Sequence, residues 1–221
     1  DIKTLPQALG ELDMDSHLVG KWHMGSARNR SLPLNKGFST FFGNHAGVSN
    51  YRTMVAKDAD RVHDLFNGTE PVHMKYSGKV FLTDLYSGEA TRLIHKHAAS
   101  PSAANRGMFL LLSFTAPHDP LNESPEAYAS KCAHISATGT TAARRKYCGL
   151  VVGLDAGVGR VIDALHAAGM ADDTLIIVSS DNGGHNGGGA PNAPVSRGKI
   201  GAPPGAGPAA RPFLGPGRAL S

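Results

Sequence analysis

The segment "YCGLVVGLDAGVGRVIDALHAAGMADDTLIIVSSDNGG", residues 147–184, decides the fold class. Its apolar residues recur with a period of about 3.6 residues, which predicts an amphipathic helix from about Ala143 to just before Gly169. Gly169 is typical of a helix C-terminal cap. The unbroken apolar run Thr174–Ser180 then predicts a strand covered on both faces. A helix followed by such a strand favours an α/β fold with a mainly parallel sheet.

Two earlier segments extend the pattern. "MFLLLSF", Met108–Phe114, is a second unbroken apolar run, and it follows a predicted helix from about Thr83 to Ala99. "HLVG", His17–Gly20, is a third, shorter run. Helices that alternate with buried strands predict an α/β sandwich, and we expect residues 1–199 to form one domain.

Residues 200–221 differ in composition from the rest of the chain. Fifteen of these 22 residues are Gly, Pro or Ala, without helical or strand periodicity. Such a segment buries too little apolar surface to offset its loss of conformational entropy. We therefore expect a largely irregular tail.

Each predicted strand ends at a cluster of polar side chains. The clusters are Lys21 and His23 after "HLVG", His118 and Asp119 after "FLLLSF", and Asp181 and Asn182 after "TLIIVSS". In open α/β sheets, ligands bind outside the carboxyl ends of the strands. We therefore expect the three clusters to converge on one site.

The first two clusters suit the chemistry of an anion. Lys21 offers a compact positive charge and His23 a donor or proton carrier, so the two could bind an oxyanion; the alternative is a solvated loop. Prolines flank His118–Asp119 and restrict the backbone. A fixed orientation suits a histidine that protonates a leaving group. The alternative is a histidine in a surface loop. Lys199, in "SRGKIG", is of interest only if it joins these residues.

The third cluster suits a hard cation. The Asp181 carboxylate and the Asn182 amide carbonyl are oxygen ligands that favour Ca²⁺ or Mg²⁺ over zinc. The sequence Asp-Asn-Gly-Gly is equally typical of a strand-ending turn. A complete metal site would need further acidic residues from elsewhere.

Composition argues against several other classes of protein. The net charge of +4 is spread along the chain without a basic stripe, so we expect no nucleic-acid partner. No apolar run approaches the length of about 18 residues that a membrane span needs. The sequence contains no Gly-x-Ser-x-Gly elbow, phosphate-binding loop or zinc-ligand spacing, so no activated nucleophile is visible.

Cysteine and asparagine motifs bear on the compartment. Cys132 and Cys148 could close a disulfide or remain two free thiols. Asn-x-Ser/Thr acceptor triplets begin at Asn29, Asn67 and Asn122, which is weak support for a secretory route.

Taken in order, these residues resemble the sulfatase family, and most closely its arylsulfatase B-like (N-acetylgalactosamine-4-sulfatase-like) branch. "LPQALGELDMDSHLVGKWHMG" carries the family's Gly-Lys-Trp-His-x-Gly signature, and "LPLNKGFSTFFG" resembles the segment that follows. "FLLLSFTAPHDPL" resembles the strand before the active-site histidine, and residues 147–184 resemble the long helix and metal-binding strand. The similarity runs from about Leu5 to Lys199 and implies an alkaline-phosphatase-like sulfatase sandwich with a mainly parallel central sheet.

The resemblance implies a role for each candidate residue. Lys21 and Lys199 match the sulfate-binding lysines, His23 the histidine bonded to the nucleophile, His118 the histidine near the leaving oxygen, and Asp181 and Asn182 two Ca²⁺ ligands. The implied activity is calcium-dependent hydrolysis of sulfuric esters, with a sulfated glycan or an aryl sulfate ester as the substrate, in the lysosome or outside the cell.

The chain departs from the family pattern in two places. The family's nucleophile is a formylglycine made from the cysteine of a Cys-x-Pro-x-Arg motif, and neither Cys132 nor Cys148 has that context. The paired aspartates that complete the calcium site lie upstream in the family, and after Lys199 the sequence turns into the tail. We therefore expect a fragment of a catalytic domain, incomplete at both ends and inactive alone. The alternatives are a non-catalytic sulfatase-like protein that binds glycan and a related phosphatase or phosphodiesterase.

Overall fold

Seven strands and five α-helices occur in the described part of the chain. The computed structural model describes residues 2–56, 62–100, 106–121, 124–136, 138, 141–183 and 213–214. In chain order the elements are α1 (Leu5–Gly10), β1 (Met14–Lys21), β2 (Thr40–Asn44), β3 (Phe66–Asn67), β4 (Glu70–Pro71), α2 (His73–Tyr76), α3 (Leu82–Ala98), β5 (Gly107–Ser113), α4 (Glu126–Ala129), α5 (Ala142–Ala167), β6 (Ile177–Val178) and β7 (Phe213–Leu214).

Five of the strands form the main sheet, in the order β4–β3–β2–β1–β5. β1 lies between β2 and β5 and runs parallel to both, with His17 opposite Thr40 and Gly20 opposite Ser113. β3 and β4 form an antiparallel hairpin beyond β2. The three long strands are therefore parallel, as the sequence predicts, and the loops that follow them leave the sheet at one edge.

Two long helices cover one face of this sheet. α3 and α5 pack against each other, and α3 also contacts β1, β2 and β5. Their bounds agree closely with the two helices predicted from the sequence, from about Thr83 to Ala99 and from about Ala143 to just before Gly169. Within the described ranges, none of the helices combines the length and apolar character needed to cross a bilayer.

Glycines let α5 approach its neighbours closely. A Cβ placed on Gly149 would lie 2.5 Å from the Ser124 hydroxyl, and one on Gly153 would lie 3.0 Å from the ring of Tyr128 in α4. Gly157 continues the row on the same face, because residues four apart lie above one another on a helix. Larger side chains at Gly149 and Gly153 would push α4 and the residue Ser124 before it away from α5.

The sheet has an apolar core on each face. The core beneath the helices contains Val19, Phe42, Tyr51, Met54, Leu65, Leu82, Tyr86 and Leu150. A smaller cluster on the other face contains Leu18, Phe38 and Phe41. Because Leu18 and Val19 are neighbours in β1, their side chains point to opposite faces, and both are buried. β1 is thus the covered centre of the sheet.

The strand predicted over Thr174–Ser180 is not a buried strand of this sheet. Only Ile177–Val178 forms a strand, and it pairs antiparallel with β7. Leu175, Ile177 and Val178 are 63%, 60% and 48% exposed. An apolar run is buried only where strands and helices flank it, and among the described residues β6 has no partner in the main sheet. The prediction of a doubly covered strand is therefore wrong.

The division of the chain at residue 199 stays a prediction. In the tail, the structure describes only Phe213–Leu214, which forms β7. The other residues of 200–221 lie outside the described part of the chain.

A disulfide joins Cys132 to Cys148, which decides between the two states that the sequence left open. Cys132 is buried just after α4, and Cys148 belongs to α5. The bond closes a loop with a sequence separation of 16 residues. It therefore ties the segment after α4 to the long helix.

We expect replacement of both cysteines by alanine to lower the free energy of unfolding by about 3 kcal/mol, because a cross-link across such a loop restricts the unfolded chain by about that amount. Urea denaturation followed by circular dichroism measures the change. Reduced wild type should unfold like the double variant. The expectation fails if the oxidised wild type and the double variant unfold at the same urea concentration.

Candidate functional site

Lys21, His23 and His118 follow neighbouring parallel strands. Lys21 is the last residue of β1, and His23 lies two residues beyond it. His118 follows β5, which ends at Ser113. Because β1 and β5 are parallel partners, their following loops leave the same edge of the sheet. The structure therefore places the first two predicted clusters at a common edge.

The loop after β2 fixes the backbone around His23. The Trp22 N–H donates to the carbonyl of Asn44 at 2.9 Å, and the His23 N–H donates to the carbonyl of His45 at 3.0 Å. The Lys21 ammonium and the His23 imidazole have no hydrogen-bond or ion-pair partner among the residues that the structure describes. Both groups are available to an anion.

The loop after β5 presents His118 in a defined protonation pattern. The His118 N–H donates to the Thr115 carbonyl at 3.0 Å, and the His118 carbonyl accepts the Tyr51 hydroxyl at 2.9 Å. The imidazole Nδ1 lies 2.9 Å from the carbonyl oxygen of Asp119. Since a carbonyl only accepts, Nδ1 carries a hydrogen. Nε2 is then the ring nitrogen that this hydrogen bond leaves out.

A buried amide links the loops after three parallel strands. Asn44 ends β2, and its Oδ1 accepts the Tyr86 hydroxyl at 2.6 Å and the Thr115 hydroxyl at 3.5 Å. Its Nδ2 donates to the Ala46 carbonyl at 2.7 Å. Its own carbonyl accepts the Trp22 N–H. Asn44 therefore sets the positions of the loops that carry His23 and His118 relative to each other.

The two tyrosines in these contacts stay protonated. Burial raises the pKa of Tyr86 well above its ordinary value, and the charge of Asp64 raises it further. Burial also raises the pKa of Tyr51, and the charge of Asp119 adds to that effect. Both hydroxyls are therefore permanent donors to the loops that they hold.

Asp181 and Asn182 occupy a turn after β6, outside the main sheet. The Ser180 hydroxyl donates to the Asn182 carbonyl at 2.6 Å, and Asn182 Nδ2 donates to the Gly183 carbonyl at 2.9 Å. β6 is not a strand of the main sheet, so the sheet topology does not bring Asp181 and Asn182 to the edge that carries Lys21, His23 and His118. Lys199 lies outside the described residues.

The donors at Asp181 and Asn182 fit Ca²⁺ in kind but not in number. Carboxylate and amide oxygens are the ligands that Ca²⁺ prefers, and the ion takes about six to eight of them. In the described segments, three or more His, Cys, Asp or Glu residues are nowhere grouped so that they could hold a metal ion. The two residues could form only part of a calcium site.

Sequence reasoning missed the residues that hold this edge together, which are Asn44, Tyr51, Tyr86 and Thr115. Asn44 has a local signal, because it is the polar residue that ends the short strand "TFFGN". Tyr51 and Tyr86 have none, because their partners lie 67 and 42 residues away in the chain.

The parallel α/β sheet carries a lysine and two histidines at one edge, and these residue types suit an anionic ligand. The family model described as Sulfatase matches residues 1–207. The chain belongs to the sulfatase family, whose name denotes the hydrolysis of sulfuric esters.

Curated relatives are similar over most of this chain. Arylsulfatase J of Mus musculus is 32% identical over 197 residues, which are 88% of this chain and 31% of that protein. N-acetylgalactosamine-6-sulfatase of Canis lupus familiaris is 31% identical over 186 residues, which are 81% of this chain and 32% of that protein. The chain therefore spans about a third of the length of these relatives.

Solved structures confirm the predicted sulfatase-type α/β fold. The crystal structure of Ps i-CgsB in complex with k-i-k-neocarrahexaose has a TM-score of 0.77 and 28% identity, and the match covers 89% of this chain and 44% of that one. The PsFucS1 sulfatase from Pseudoalteromonas sp. has a TM-score of 0.61 and 21% identity, with 80% and 37% covered. At that identity the second likeness shows the fold alone.

We expect Tyr86→Phe to lower the free energy of unfolding by about 1–3 kcal/mol, because the buried Asn44 Oδ1 loses its shortest donor. Tyr147→Phe is the matched control, since that half-buried hydroxyl has no hydrogen-bond partner in the described part of the chain. Urea denaturation compares the two variants. Equal losses of stability would show that the Asn44 contact contributes nothing specific.

Proposed function

We propose that this chain is part of a sulfuric ester hydrolase whose substrate is a sulfated glycan or an aryl sulfate ester. The observation that carries the proposal is the common edge of Lys21, His23 and His118 in a member of the sulfatase family. Binding and cleavage of a sulfate ester require a positive charge and groups that transfer protons, which a lysine and two histidines supply.

A sugar is the preferred carrier of the sulfate group. One relative is named N-acetylgalactosamine-6-sulfatase, and a similar solved structure holds k-i-k-neocarrahexaose. Both names point to saccharide substrates of those proteins. The finer assignment, an arylsulfatase B-like branch with 4-sulfatase specificity, stays a prediction, because the names of the relatives do not single it out.

Each residue at the edge has a proposed task. Lys21 neutralises charge on the sulfuryl oxygens with its compact ammonium group. His118, whose Nδ1 is engaged by the Asp119 carbonyl, donates the proton on Nε2 to the departing ester oxygen. With Lys21, His23 contacts the sulfate, and where the nucleophile is present it binds that group's hydroxyl and later acts as its base. Lys199, outside the described residues, is proposed from the family as a second ligand of the sulfate.

Two further components are proposed from the family. Asp181 and Asn182 would supply two oxygen ligands to Ca²⁺, which polarises the sulfuryl group when bound. The nucleophile would be a formylglycine, but the printed sequence has no Cys-x-Pro-x-Arg motif. Cys132 and Cys148 are bonded to each other, so neither thiol is available as its precursor. We therefore propose that this polypeptide alone binds sulfate esters without hydrolysing them.

The bonded cysteines also favour a second candidate, a sulfatase-like protein that binds sulfated glycan without catalysis. This function would use the same lysine and histidines. A phosphatase or phosphodiesterase is a weaker alternative, and no contact in the described residues favours it.

We expect Lys21→Ala to weaken binding of 4-nitrophenyl sulfate by about tenfold, because a charge-assisted contact to the anion is lost. Isothermal titration calorimetry measures the dissociation constant. Lys146→Ala, on the exposed surface of α5, is the control, since it makes the same change in net charge away from the edge. Equal effects of the two substitutions would refute the proposed site.

Addition of Ca²⁺ to the same polypeptide should give no release of 4-nitrophenol. Turnover above background would show that the chain contains a nucleophile that we have not identified. Binding of inorganic phosphate in preference to sulfate would favour the phosphatase alternative.

We propose a secretory route to the lysosome or the outside of the cell, which the disulfide supports. Among the acceptor asparagines, Asn67 is exposed where β3 turns into β4, and its amide has no partner in the described residues. The amide oxygen of Asn29 accepts the Asn35 side chain at 3.1 Å. Asn122 lies outside the described part of the chain. Asn67 is therefore the best-presented acceptor for a glycan.

We expect protein secreted from a eukaryotic cell to lose mass on treatment with peptide N-glycosidase F, and Asn67→Gln to remove one glycan. Mass spectrometry of the intact chain measures both changes. Thr69→Ser, which keeps an acceptor triplet at Asn67, is the control and should keep the glycan. Secreted protein whose Asn67 carries no sugar would contradict the assignment.

A further inference from the structure

The ring of His23 lies against the backbone of Gly47, where there is no room for a side chain. A Cβ placed on Gly47 would lie 2.5 Å from both Cε1 and Nε2 of His23, and 2.9 Å from Nδ1. Real Cβ atoms do not approach other atoms so closely, so any residue other than glycine would displace the ring or the loop. We call residues 45–47 the His23 seat.

The backbone of His23 also depends on this seat. Its φ of +48° lies in the left-handed region, which residues other than glycine rarely adopt. Such a conformation persists only where its surroundings hold it. Here the His23 N–H donates to the His45 carbonyl, and the ring rests on Gly47.

A buried carboxylate holds the seat in turn. Asp64 Oδ1 accepts the N–H of His45 at 2.9 Å, and Asp64 Oδ2 accepts the N–H of Ala46 at 2.7 Å. The Asp64 side chain is only 8% exposed. Hydrogen bonds to a charged acceptor are stronger than neutral ones, and removal of a buried acceptor leaves its donors unpaired.

The side chain of His45 adds to the rigidity of the seat. Its imidazole packs between Phe41 and Phe66, with ring centroids 5.0 and 4.5 Å apart. Burial lowers the pKa of His45, although the charge of Asp64 opposes this shift. The ring is therefore neutral near pH 7, and the nearby carboxylate remains with the two backbone N–H groups.

We propose that Gly47 and Asp64 are positioning residues, which together hold the imidazole of His23 at the orientation seen at the sheet edge. Gly47 acts by close contact with the ring, and Asp64 acts by clamping the loop. The inference rests on the proposed function only where it assigns His23 a task in a sulfate-ester site; the contacts themselves do not depend on that task.

Gly47→Ala tests the contact with the ring. We expect the NMR chemical shifts of the His23 imidazole to change. The measurement uses protein labelled at histidine, and the His23 signals are assigned by their loss in His23→Gln. Gly159→Ala is the matched control, because a Cβ there meets no atom within 4 Å. Gly47→Ala should also weaken binding of 4-nitrophenyl sulfate by about twofold to tenfold, as expected for loss of one hydrogen bond.

Asp64→Asn tests the clamp, because an amide offers one acceptor oxygen in place of two. Exchange of the amide hydrogens of residues 23, 45 and 46 should become faster, while those of α5 keep their rates. A general loss of stability would speed exchange in α5 as well, and that result would overturn a specific clamp. Asp172→Asn, at an exposed turn, is the control.

The outcomes separate this inference from the proposed function. If the His23 signals are unchanged in both Gly47→Ala and Asp64→Asn, the seat is refuted, whatever the chain binds. If those signals shift and the dissociation constant for 4-nitrophenyl sulfate does not change, the seat is supported and the proposed role of His23 in sulfate binding fails.

Discussion

The arrangement of the edge depends on one buried amide that has to satisfy its hydrogen bonds. Asn44 is surrounded by core, and an unpaired polar group there would carry a large desolvation cost. It meets this requirement with partners from α3, from the loop after β5 and from its own loop. The loops that present Lys21, His23 and His118 therefore keep fixed positions relative to β2, which ends at Asn44.

Local pattern predicts much of this molecule. Apolar periodicity predicts α5, and the polar residues after β1 and β5 mark the edge, because both are properties of short segments. The run Thr174–Ser180 shows where local pattern fails, since its burial depends on neighbouring strands rather than on its own residues. Asp64 and Tyr86 escape prediction for a related reason. Both residues act through contacts with residues distant in the sequence, and no neighbouring residue indicates those contacts.

The edge also separates two kinds of functional residue. Lys21 and His118 carry the groups that we propose contact a ligand, and their residue types alone suggest that role. Gly47 leaves room for the His23 ring because it has no side chain. Asp64 accepts hydrogen bonds from backbone N–H groups rather than contacting a ligand. Residues of the first kind are recognised from their reactive side chains alone. The second kind appears when each contact of a candidate residue is followed one step further into the fold.

The row of glycines in α5 has a consequence for how the chain folds. Gly149, Gly153, Gly157 and Gly159 each lower intrinsic helix stability by about 1 kcal/mol relative to alanine. In isolation this stretch would therefore spend little time as a helix, despite its 26 residues. Three of them, Gly149, Gly153 and Gly157, permit the close contacts that stabilise the docked helix. α5 should thus become helical late, as it docks on α3 and α4, and the early folding nucleus should lie in other parts of the chain.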